Sequence, residues 1–180
     1  MSTRFLGHAI HPMLIVFPLG LLAAAVVFDV AYLSTHHIVF THVAFWNIAG
    51  GIVGGLAAAV FGLADWLGIP SGTRAKSIGA WHALMNVLVL VLFAGSWLLR
   101  RPVHGHIPDQ PALFLSSGGL LLAVISGWLG GELVQRLGVG VYEDADLDAM
   151  SSLAGHPVLE GAPEPGAVRR PHGGARATSH

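Results

Sequence analysis

Four long apolar runs, Met13–Leu33, Val43–Ile69, His82–Leu99 and Ala112–Val134, constrain this chain more than anything else in it. They measure 18 to 27 residues, and about 20 residues are needed to cross a hydrocarbon core about 30 Å thick. Only 11% of the 180 residues are charged, whereas soluble domains carry about 25%. The expected fold is therefore an all-α integral membrane protein, a four-helix transmembrane bundle over residues 1–140. Tryptophan agrees: Trp46, Trp66, Trp81, Trp97 and Trp128 all stand near the ends of runs, where indole meets the headgroups.

Lysine and arginine set the expected orientation. With four spans, both termini share a side with the loop 70–80, and Arg4, Arg74, Lys76 and Arg136 lie close to the spans there. The opposite side has only Arg100 and Arg101. The positive-inside rule then places both termini in the cytoplasm. The first run is too long for a signal peptide and contains Asp29, so it reads as a retained span. Residues 141–180, rich in Gly, Pro and Ala and without an apolar run, read as a disordered cytoplasmic tail.

Small residues suggest how the spans pack. Gly51, Gly55, Ala58, Gly62 and Asp65 follow one another at steps of four, three, four and three, which makes one face where another helix can come close. Gly127 and Gly131 offer a similar device in the fourth span. Pro18 should bend the first span. A weak repeat also shows: His11 opens span one and Asp65 closes span two, while His82 opens span three and Glu132 closes span four. Duplication of a hairpin would explain it, and so would chance.

Eight of the eleven histidines gather at the ends of the runs, and they are the chain's main chemical resource. An inner layer holds His8, His11, Asp65, His82, Asn86 and Glu132. Ionisable groups within spans usually face the bundle interior or a partner. Two histidines from facing helices could ligate haem iron or a divalent metal, with a carboxylate or amide fixing the tautomer. The bland alternative is that these groups anchor helix ends at the headgroups. An outer layer holds Asp29, His36, His37, His42, Asn47, His104 and His106, for which solvated connections are the simpler reading. Asp29 is the exception, because it lies inside the span and needs a partner.

Several chemistries are excluded. There is no cysteine, hence no disulfide, thiolate metal site, iron–sulfur ligation or covalent haem. A net charge of −1 gives no argument for nucleic acid. No His-Glu-x-x-His motif occurs. Gly138-Val139-Gly140 lacks the strand and helix of a dinucleotide fingerprint. Asp144, Asp146 and Asp148 imitate a calcium loop but lack its glycine and glutamate. The loop 70–77 is no phosphate loop, and its Arg74 and Lys76 are expected at anionic headgroups.

The stretches Gly7-His8-Ala9-Ile10-His11-Pro12-Met13-Leu14-Ile15-Val16-Phe17-Pro18-Leu19-Gly20, Gly62-Leu63-Ala64-Asp65-Trp66-Leu67, Trp81-His82 with Asn86, and Gly130-Gly131-Glu132-Leu133-Val134 with Gly138-Val139-Gly140-Val141 occur in this order. In them the chain resembles the bacterial transmembrane domain of unknown function 2231, over about residues 4–142. One departure is Ala9-Ile10 after His8, where that pattern has proline. The resemblance implies a bacterial inner-membrane protein and carries no assigned activity. Some relatives look to be fused to cytochrome-type or Rieske-type domains, which implies membrane redox chemistry by analogy.

Two functions follow as expectations. The first is an electron-transfer subunit binding b-type haem, with His11, His82, Asp65 and Asn86 at the cofactor, or a metal held by His8, His11, His82 and Glu132. The second is a cofactor-free membrane subunit or proton/ion-relay transport element. Neither assigns a catalytic residue. The partners expected are the lipid bilayer, membrane redox proteins and further copies in a homo-oligomer.

Overall fold

The computed structural model describes residues 4–5, 8–142, 145, 147–148 and 151, with side chains from Ala9 onward. Two-residue strands β1 (Arg4–Phe5) and β2 (His8–Ala9) pair antiparallel. The helices are α1 (Ile10–Leu14), α2 (Val16–Thr35), α3 (Val39–Leu67), α4 (Arg74–Arg100) and α5 (Gln110–Gln135). A 3-10 turn, His104–His106, precedes α5. Apart from the short strand pair, the described residues are all-α. Four helical stretches are long and apolar enough to cross a membrane, with α1 and α2 together making the first. Most of the expected tail, including His156, His172 and His180, lies outside the described residues.

Few of the apolar side chains are covered by protein. At most 28% of the apolar window of any span is buried, and Phe17, Val53, Val60 and Phe114 are each about two-thirds exposed or more. Such a surface needs lipid as its solvent. Trp46, Trp81 and Trp128 are also mostly exposed, as headgroup-level indoles should be. The interior is thin. Leu22, Ala25, Ala44, Ile48, Val89, Phe93 and Ala123 form it, drawn from all four spans.

Pro18 interrupts the hydrogen bonding of the first span. It has no N–H to give the carbonyl of Leu14, and the helix is interrupted at Ile15 between α1 and α2. The third span begins at Arg74, eight residues before its apolar run. Thr73 makes that start by accepting a hydrogen bond at its Oγ1 from the Lys76 N–H (3.1 Å). Lys76 turns its Nζ to the Trp66 carbonyl at the end of α3 (2.7 Å) and lies over the Trp66 ring. The expectation that Lys76 serves headgroups is thus corrected: it closes the α3–α4 connection. Arg74 likewise reaches Glu132 (2.8 Å).

The small-residue face of α3 packs inward. A methyl group added to Gly51 would meet Leu22, to Gly55 Leu90, and to Gly62 the ring of His11. On α5 the expectation fails. Gly127 and Gly131 have open space where a side chain would stand, and the inward face is Gly119, Ala123, Ser126 and Gly130. Its steps of four, three and four match those of α3, with a serine that composition does not mark as a packing residue.

That match shows a two-hairpin repeat. Gly51, Gly55, Ala58 and Gly62 each have a counterpart 68 positions later in Gly119, Ala123, Ser126 and Gly130. On the partner helices, His11, Leu22 and Asp29 have counterparts 71 positions later in His82, Phe93 and Arg100. Leu22 fills the place beside Gly51 as Phe93 fills that beside Gly119. The two acids expected to mark the repeat do not belong to it, since Asp65 corresponds to Leu133 and Glu132 to Ala64.

Candidate functional site

The repeat brings two histidines to the end of the bundle that carries the α3–α4 connection. His11 lies on α1, and its Nδ1 is 2.8 Å from the Ala58 carbonyl on α3. His82 lies on α4, and its Nδ1 is 2.9 Å from the Ser126 carbonyl on α5. A carbonyl only accepts, so in both rings Nδ1 carries the proton. Ser126 Oγ is also near His82 Nδ1 (3.1 Å). The glycine one turn beyond each carbonyl, Gly62 or Gly130, gives the ring room to lie against the helix. The two ring centroids are 6.4 Å apart, with planes at 89°.

Asn86, one turn along α4 from His82, donates its amide to His82 Nε2 (3.1 Å) and to the His82 carbonyl (2.9 Å). It is thus an orienting residue, as the four-residue spacing implies. The Nδ1 atoms are held by backbone carbonyls, not by the Asp65 carboxylate. Asp65 lines an open cleft of about 560 Å³ with Thr73, Arg74, Leu137 and Gly140. Glu132 is engaged by Arg74 (2.8 Å) and Arg136 (3.9 Å). Among the described residues no three His, Asp or Glu side chains converge as a metal site, and the His8 side chain lies outside them. The expected set of His8, His11, His82 and Glu132 is therefore not gathered by the described residues; its described core is the His11–His82 pair.

At the opposite end, Asp29 has its partner in Arg100. Nη1 donates to Oδ1 (2.6 Å) and Nη2 to Oδ2 (2.7 Å), and both side chains are buried. Ser96 Oγ accepts from Arg100 Nε (3.2 Å), and Ser116 Oγ accepts from Nη2 (3.3 Å). Every charge is satisfied within the bundle, the condition for a stable buried pair. Arg100 is therefore not the loop charge that its place at the end of a run suggests.

The outer histidines divide. His106 Nδ1 donates to the Arg100 carbonyl (3.2 Å), and its ring stacks on Phe45 at 3.7 Å between centroids. His42 stands edge-on to it at 5.4 Å. His36 ends α2 in a left-handed conformation (φ 58°), its N–H on the Tyr32 carbonyl. His37 and His104 are exposed, and Asn47 is half-buried on α3.

Residues 7–143 match the family described as "Predicted membrane protein (DUF2231)". The chain belongs to that family. No curated protein and no solved structure matches it. Family membership and four apolar helical stretches establish a membrane protein, and the histidine pairs are the features of this family member from which a function has to be argued.

Proposed function

We propose that the His11–His82 pair ligates the iron of a b-type haem, and that the chain is an electron-transfer subunit in the cytoplasmic membrane of a bacterium, with both termini inside. The observation that carries this reading is the doubling: each ring has its Nδ1 on a carbonyl of the next helix (2.8 and 2.9 Å) and a glycine beneath it. A protonated Nδ1 on a carbonyl is the arrangement by which proteins orient a ligating Nε2. The two rings are also neighbours, with centroids 6.4 Å apart, so His11 and His82 are the residues that would hold the group.

A bound haem would supply the one-electron chemistry; the protein supplies the two oriented nitrogens and an apolar surround. Ligation requires Asn86 to release His82 Nε2, at a cost of about 1 kcal/mol for one hydrogen bond. Room for a macrocycle has to come from a shift of α1, at whose junction with α2 Pro18 leaves the Leu14 carbonyl without its helical donor.

The Asn86–His82 bond itself favours a second reading. It completes the hydrogen bonding of His82 without a cofactor, as in a membrane subunit or proton-relay element whose imidazoles exchange protons. One optical experiment separates the two. Protein expressed with haem supplied, solubilised and purified, should show a Soret band and sharpened reduced bands, both lost in His82→Ala. A parent protein without a Soret band ends the haem reading. A pH-dependent ion flux in proteoliposomes would then support the second.

A further inference from the structure

His106 combines three unusual features. It has a left-handed backbone (φ 55°) beside Gly105 (φ 69°), a conformation that a residue with a Cβ rarely adopts and that collects at functional positions. Its Nδ1 is held by the Arg100 carbonyl, so Nδ1 is protonated and Nε2 is the nitrogen with a lone pair to offer. Its plane is fixed by stacking on Phe45, with Trp97 on that ring in turn at 5.3 Å. The turn carrying it is tied to α3 by Thr41, whose Oγ1 donates to the Gly105 carbonyl.

Against this fixed ring stands His42, on the first turns of α3 and exposed. The centroids are 5.4 Å apart and the planes are 80° to each other. Two imidazoles at tetrahedral corners of a zinc ion, with Zn–N about 2.0 Å, have centroids about 5.2 Å apart. The inner pair, at 6.4 Å, is wider than adjacent tetrahedral corners; the outer pair has close to their separation.

We propose that His42 and His106 form a binding site for a divalent zinc ion on the side of the bundle opposite the termini, with water completing its coordination. Imidazole is a common ligand of this metal, and the second nitrogen of His106 already has the carbonyl partner such ligands take. The site is independent of the His11–His82 pair and of any haem held there.

The test is titration of the full chain with Zn²⁺ in detergent after chelator treatment, in a background where His156, His172 and His180 are replaced by alanine. The parent and His104→Ala should bind zinc alike. His42→Ala and His106→Gln should each weaken the same site by at least about tenfold. Unchanged binding in either variant, or no zinc bound by the parent, overturns the proposal and leaves the pair as an edge-to-face ring contact. X-ray absorption gives a second readout: imidazole nitrogen at about 2.0 Å in the zinc-loaded parent that is lost in His42→Ala supports the site, and a shell of oxygen alone in the parent refutes it.

Discussion

At the residue scale, the Asp29–Arg100 pair is the strongest single commitment in the bundle. A carboxylate one turn inside a span has to find a partner, and the sequence says that much about Asp29. It conceals the partner, because an arginine at the end of an apolar run reads as a side chain reaching for water. The 71-residue interval that relates His11 to His82 also relates Asp29 to Arg100, and it is the one sequence signal that joins the two. Buried pairs punish the loss of one member more than the loss of both. Arg100→Ala should cost about 3–5 kcal/mol, by leaving the buried Asp29 carboxyl with only the Ser116 hydroxyl beside it. Asp29→Leu combined with Arg100→Met should stand close to the parent. Reversible unfolding in mixed micelles measures both, and a double variant as unstable as Arg100→Ala would show that the ion pair is not what the single substitution disrupts.

At the element scale, helices are set together by faces of small residues, and the face of α3 was legible while that of α5 was not. On α3 the residues are Gly and Ala at regular steps. On α5 the same steps pass through Ser126, while Gly127 and Gly131 form a more visible pattern that faces outward. Span boundaries show a similar limit: hydropathy finds where apolar residues stop, but Thr73 starts α4 in a polar stretch by hydrogen bonding. Glycine substitutions separate inward from outward positions. In Gly62→Ala the new methyl would stand 2.8 Å from His11 Cε1, and the ring is tied to Ala58. The expected loss is about 1–3 kcal/mol, with His11 displaced from its carbonyl. Gly127→Ala and Gly131→Ala meet nothing within 4 Å and should be neutral or gain up to about 1 kcal/mol from helix propensity. Melting curves of the three variants suffice, and equal losses at all three would contradict the assigned faces.

At the scale of the whole molecule, both hairpins begin on the same side, so the repeat is parallel, related by an axis along the membrane normal. The number of spans was plain from the apolar runs; the pairing of the hairpins was not, because the acids thought to mark it fall outside the repeat. Orientation rests on charge, and the buried Arg100 sharpens the argument. With Arg100 inside the bundle, the side of the α2–α3 and α4–α5 connections keeps Arg101 alone, lying over Trp97, against an opposite side with Arg74 and Arg136 largely exposed. The absence of cysteine makes this directly measurable, since one introduced thiol is the only one in the chain. Ser34→Cys, at the α2–α3 connection, should react with a membrane-impermeant maleimide in intact cells whose outer barrier is open. Ser71→Cys, at the α3–α4 connection, should react only after the membrane is permeabilised. The reverse pattern would turn the bundle over, placing the His11–His82 pair at the outer face and giving His42 and His106 the metal pool of the cytoplasm.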